Sequence, residues 1–218
     1  MAFDGSAVRA LVSEFNTRLL GARISKIVQN EALELFLTLK NEGSTFRLLI
    51  SASPSLPLIY LTEENRQAPL NAPAFCMLLR KHLQGGKIIG ITQPSLERII
   101  NFEIEHYNEM GDLCVKTLTV ELMGKHSNII FRDGTKILDS IRHVSALVSS
   151  VREVLPGREY FIPFEGEKLN PFTCSRGEFY AAVFGCEGEV QLAKALYSSV
   201  TGISPRPAAE IIPNAGPD

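Results

Sequence analysis

Several protein classes are set aside by what this sequence lacks. Tryptophan is absent, and the four cysteines, Cys76, Cys114, Cys174 and Cys186, are scattered without a CxxC pair. Neither a disulfide framework nor a zinc site is therefore indicated. Cys76 and Cys114 lie within apolar patterns and read as small buried hydrophobes. His82, His106, His126 and His143 stand far apart and form no HExxH, so no metal or cofactor is expected. The apolar runs are too short to span a membrane, and Met1 to Gly5 opens no signal peptide. The expected compartment is the cytoplasm, with no membrane partner. An excess of one charge is missing too: 22 Lys and Arg face 24 Asp and Glu, a net charge of −2. That balance argues against coating nucleic acid non-specifically, yet leaves room for a local basic groove.

What is present is an ordinary core-forming composition, 45% hydrophobic and 21% charged over 218 residues, enough for one large or two modest domains. Asp4 can cap a helix over about Ser6 to Leu20, with Val8, Leu11, Val12, Phe15 and Leu19 inward. Alternating segments follow at Ala22 to Gln29, Glu31 to Lys40 and Thr45 to Ala52, with turns at Asn30 and Asn41 to Gly43. Pro54 and Pro57 leave only an edge position for Leu58 to Thr62. Further strands are read at Leu113 to Met123, Ile129 to Phe131 and Lys136 to Ile141, the last two joined at Asp133-Gly134. The fold class is therefore α+β, an antiparallel sandwich or barrel-like domain with two main helices over residues 1–172. Val144 to Pro171 reads as an ordered crossing segment anchored by Val151, Val154, Leu155, Tyr160, Phe161 and Phe164. Residues 173–218 read as a small helical unit, the start of a domain that continues beyond Asp218.

The chain is organised around Pro73 to Arg98. Pro73 suits a first helical turn, and Phe75, Leu78, Leu79 and Leu83 form one apolar stripe. Arg80, Lys81 and His82 project outward near the helix C-terminus. Gly85-Gly86 ends the helix and Lys87 to Thr92 resumes a strand. In the next run Leu96, Ile100, Phe102 and Ile104 share one side, while Glu97, Asn101, Glu103 and Glu105 share the wet side. Arg98 falls on the apolar parity. A guanidinium there needs an internal carboxylate, a bulge that turns it outward, a wet strand end, or an anionic ligand.

Other polar clusters are weaker. Gly124-Lys125 would need Gly at 119, where Thr stands, and Ser or Thr at 126, where His stands, so no nucleotide-binding P-loop is read. GKHSN forms a compact turn holding its neighbours, or offers Lys125 and His126 to phosphates. Arg142 and His143 can join a basic rim. Glu103 and Glu105 fit a solvated face better than acid–base catalysis, and no GxSxG elbow is present. Nothing here requires an enzyme.

Six segments, FDG, FCMLLRKHLQGGKI, LERII, ELMGKHSNII, DSIRHVS and SSVREVLPGREY, resemble the N-terminal region of the NFACT family. Older members of that family are called fibronectin-binding protein A-like. The resemblance implies a factor that binds large ribosomal subunits obstructed by peptidyl-tRNA and recruits charged tRNA, in bacteria alanyl-tRNA, for tailing without mRNA. It also implies an N-terminal domain similar to that of formamidopyrimidine-DNA glycosylases, followed by helix-hairpin-helix elements. The family's Asp-Arg dipeptide for tRNA recognition falls on Glu97-Arg98, where Arg98 matches and Glu97 is longer by a methylene. Typical members carry Arg where Leu58 stands. The glycosylases' amino-terminal proline nucleophile and its acid are replaced by Ala2 and Phe3, so base excision is not expected. On this resemblance Glu97 and Arg98 read tRNA, while Arg80, Lys81, Lys125, His126 and Arg142 contact its backbone. Fibronectin is the alternative partner, as for a surface adhesin.

Overall fold

The computed structural model describes residues 3–163, 166, 168–185 and 191–215. Alternating apolar segments broken by tight turns pair with their chain neighbours, which gives two antiparallel meanders. The first contains β1 (Arg23–Glu31), β2 (Glu34–Asn41), β3 (Ser44–Ser51) and β4 (Leu58–Leu61). The second contains β5 (Lys87–Thr92), β6 (Ile99–Tyr107), β7 (Leu113–Glu121), β8 (Asn128–Asp133) and β9 (Lys136–Ser140). They join at β1 and β5 into one nine-stranded sheet ordered β4-β3-β2-β1-β5-β6-β7-β8-β9. The expected sandwich or barrel is thus a single open sheet. Arg23 pairs with Lys87 across the join, and β4 and β9 remain its edges.

Two helices cover the inner face. In α1 (Gly5–Leu19), Asp4 Oδ1 accepts from the Ala7 amide at 2.9 Å, and Val8, Val12, Phe15 and Leu19 are buried. In α2 (Ala74–Leu83), Phe75, Cys76, Leu79 and Leu83 turn inward. They meet Leu37, Leu39 and Ile50 of the first meander and Ile100, Phe102, Leu118, Val120 and Phe131 of the second in one core. Phe15 packs on Phe102 with ring centres 6.2 Å apart.

The outer face of β7 to β9 is not wet, and here the expectation for Asn101 is corrected. Residues 152–160 lie over it, so Ile130, Ile137 and Val154 form a second small core against Val144 and Tyr160. Asn101 is buried beneath, accepting from Thr119 Oγ1 at 2.8 Å. The crossing segment also protects the β9 edge, through Ile137 N to Arg158 O at 2.8 Å and Tyr160 N to Thr135 O at 2.6 Å. Phe164, one of its expected anchors, falls outside the described residues, as does Cys186. Cys114 is half-exposed on β7 instead of buried.

Three short helices, α3 (Arg176–Phe184), α4 (Leu192–Ser199) and α5 (Pro205–Asn214), bury their own cluster of Val183, Ala195, Leu196, Val200 and Ala208. This unit meets the sheet at the start of α1, where the Ser6 amide donates to Gly202 O at 3.1 Å. No helix among the described residues is long and apolar enough to cross a membrane.

Candidate nucleic-acid interface

Arg98 sits at the mouth of β6, not inside it. β5 ends at Thr92, the Glu97 amide closes a turn onto Pro94 O at 2.9 Å, and pairing resumes with Leu122 N to Arg98 O at 2.8 Å. Arg98 lies in a bend outside the strand, so its side chain is half-exposed even though Leu122 beside it is buried in the main core. Glu121, on the neighbouring strand end, is spoken for. Its carboxylate, fully buried, accepts from Arg152 Nη2 at 2.5 Å and Tyr160 OH at 3.0 Å. The Arg98 guanidinium has no partner among the described residues.

Arg98 and Glu97 line a cleft of about 640 Å³ between the sheet end and the helical unit. Its walls include Asp4, Lys168, Tyr197 and the Thr201–Pro205 turn. Lys168 Nζ donates to Tyr197 O at 3.2 Å, and the Asp4 carboxylate is occupied by Ala7 N, Ser6 Oγ and Ser204 Oγ. The side chains of Arg98, Lys168 and Glu97 thus share the lining of one cleft.

The turn after β7 adds cations at the same end. Gly124–His126 forms a single 3-10 turn, with Lys125 and His126 exposed. Arg142 Nη1 holds that turn by donating to Lys125 O at 2.8 Å and Ser127 O at 3.3 Å. Asn128 Nδ2 donates to Arg142 O at 2.9 Å, and Asn128 Oδ1 accepts from the Arg142 amide at 3.1 Å. His143 Nε2 lies 2.7 Å from Asp139. GKHSN is thus a compact brace that also presents Lys125 and His126 outward.

Arg80 and Lys81 are elsewhere. Arg80 folds back so that Nε donates to Ile27 O at 2.8 Å, rather than projecting outward. Lys81 pairs with Glu109 at 2.7 Å in the β6–β7 turn. That turn is separated from Arg98 by the whole of β6, roughly 30 Å of extended chain. His82 is likewise not outward: its ring packs 5.9 Å from Phe131, and burial, then Lys116, holds its pKa below the ordinary value.

Sequence reasoning missed the Arg152–Glu121–Tyr160 network. Burial works against the Arg152 charge, but Glu121 more than restores it and the pKa lies above the usual arginine value. Burial and Glu121 push the Tyr160 hydroxyl up as well. One signal was available, an acid ending the otherwise apolar and threonine-rich β7. Lys168 and Asp4 carried none, since the cleft exists only once the helical unit docks.

The description "NFACT N-terminal and middle domains" matches residues 4–218. The chain belongs to the NFACT family. It is similar to the Rqc2 homolog RqcH of Bacillus subtilis, 38% identical over 218 residues, covering 99% of this chain and 38% of that protein. It is 41% identical over 175 residues to the Rqc2 homolog RqcH of Streptococcus pneumoniae, covering 79% of this chain and 32% of the relative. The chain thus spans well under half the length of these relatives. Among solved structures, the N-terminal domain of fibronectin-binding protein PavA from S. pneumoniae superposes with a TM-score of 0.89. It is 36% identical, and the match covers 98% of this chain and 80% of that one. The N-terminal part of a fibronectin/fibrinogen-binding protein from Streptococcus suis gives 0.90 at 34% identity, over 100% and 81% of the two chains.

Proposed function

We propose that this chain is the tRNA- and large-subunit-binding portion of a ribosome quality-control factor working in the cytoplasm. In that reading it recruits charged tRNA, alanyl-tRNA in bacteria, to large subunits blocked by peptidyl-tRNA, so that a tail is added without mRNA. The protein positions substrates and is not itself an enzyme; peptide transfer belongs to the ribosome. The observation that carries the reading is Arg98, a guanidinium without a partner among the described residues that lines a cleft at the end of the sheet where Lys125, His126 and Arg142 also gather. A planar guanidinium can grip phosphate in bidentate fashion or stack on an unpaired base, and folded RNA exposes both. Glu97 supplies an acceptor for a base edge. Lys125, His126 and Arg142 serve as backbone contacts that orient the RNA without reading it. Lys81, roughly 30 Å away along β6, and Arg80, bonded to β1, would serve a second part of the same RNA. The sheet domain is read as glycosylase-like and α3 to α5 as helix-hairpin-helix-like, both compatible with a nucleic-acid partner.

Filter binding of tRNA to the unsubstituted chain and to Arg98→Ala tests this. The expected outcome is a large loss of affinity with an unchanged melting curve. An unchanged isotherm removes Arg98 from the site. Two structural relatives named for fibronectin binding suggest a second reading, a fibronectin-binding surface protein. Saturable binding to immobilised fibronectin, unaffected by competing tRNA, would support it.

A further inference from the structure

We propose that Gln93 is a positioning residue that holds Glu97 and Arg98 in reading geometry, an inference that rests on the tRNA reading above. Gln93 lies at the start of the loop, only 9% exposed. Its Nε2 donates twice, to Gly5 O at 2.8 Å and to Glu97 O at 2.8 Å. One amide thereby ties the backbone of the Glu97-Arg98 dipeptide to the first residue of α1. Its Oε1 is buried without a partner, so the side chain is kept for its donors.

The rest of the loop is fixed from three more sides. Ser95 holds a positive φ of 49°, uncommon for a residue with a Cβ, and accepts from Asn170 Nδ2 at 3.4 Å. Leu96 is buried against the helical unit, packed so closely that a Cβ on Gly202 would sit 2.6 Å from Leu96 Cβ. On the Gly5 side, a Cβ would lie 1.9 Å from Leu96 O. Behind Arg98, its carbonyl is held by the Leu122 amide at 2.8 Å. A loop this constrained loses little freedom when ligand arrives, and that is the gain from preorganisation. Gln93 touches no ligand itself. It sets where the Arg98 side chain starts.

A double-mutant cycle on tRNA binding tests it, using the 218-residue chain and the variants Gln93→Met, Arg98→Ala and both. Gln93→Met removes the donors at nearly constant volume. The expected result is roughly a tenfold weaker affinity in the Arg98 background and almost no further loss once Arg98 is alanine. A merely structural role predicts the same loss in both backgrounds, and that outcome overturns the proposal, as does no loss at all. If Arg98→Ala alone leaves binding intact, or the unsubstituted chain does not bind tRNA, the tRNA reading falls and the proposal with it. Should Gln93→Met fail to fold, Ser95→Gly takes its place. Glycine accepts the positive φ but frees the loop, so affinity should fall severalfold with the melting curve retained. Unchanged affinity in that folded variant counts against preorganisation.

Discussion

At the scale of single residues, charge is placed where burial and neighbours define its state. Glu34, on β2, is half-buried beside Glu31 and Glu64, with Arg66 opposing them. Burial first, then Glu31, raises its pKa above the ordinary carboxylate value. A raised folded pKa means the folded chain holds this proton more tightly than the unfolded chain does. The associated stability is complete below the unfolded value of 4.5 and is lost as pH rises through the folded value. Glu34→Gln is therefore expected to raise the melting temperature at pH 7 and to have little effect near pH 4. Thermal melts at the two pH values check this, and equal shifts at both would refute it. Arg98 shows the limit of sequence at this scale. Its conflict with Ile100 and Phe102 was legible, and so was the need for a partner or an exit. That β6 begins only after it was not, because strand ends follow from which turn closes, here the Pro94–Glu97 turn.

Elements obey the period-two and helical patterns closely, with errors where a distant segment changes what a face meets. Both main helices, their inward stripes and the Asp4 cap follow from spacing alone. The wet side assigned to Asn101 failed because residues 152–160 return over that face of the sheet. That cover is fastened by the Arg152–Glu121 pair, whose carboxylate is completely buried. Arg152→Ala would leave Glu121 uncompensated, at a cost of roughly 3–5 kcal/mol. At this chain length that corresponds to a melting temperature lower by about 10 °C. Glu121→Gln, which keeps one acceptor oxygen for Arg152 and offers its amide to the Tyr160 hydroxyl oxygen, should cost clearly less. Differential scanning calorimetry of the two variants decides, and an Arg152→Ala protein as stable as Glu121→Gln would show the pair to be incidental.

Taken as a whole, the molecule carries almost no excess charge, so any RNA affinity must come from where its cations sit. The sheet gathers Arg98, Lys125, His126 and Arg142 at one end and leaves Lys81 paired at the other. A local footprint of this kind gives a shallow salt dependence, about 0.7–0.9 per neutralised phosphate on a log–log plot. Lys125→Ala is expected to weaken tRNA and unrelated RNA alike and to reduce that slope by about one contact. Titrations at several salt concentrations measure it, and an unaltered slope would take Lys125 off the RNA.

The main core and the cluster of the helical unit differ greatly in size. Among the described residues, the one under the helical unit has five buried side chains, Val183, Ala195, Leu196, Val200 and Ala208. Small hydrophobic clusters open more readily than large ones. Since Tyr197 and Thr201–Pro205 form one wall of the Arg98 cleft, the recognition surface should vanish before the sheet begins to melt. Heat, crowding or a bound partner would then act on ligand capture first by governing whether that small wall stays shut.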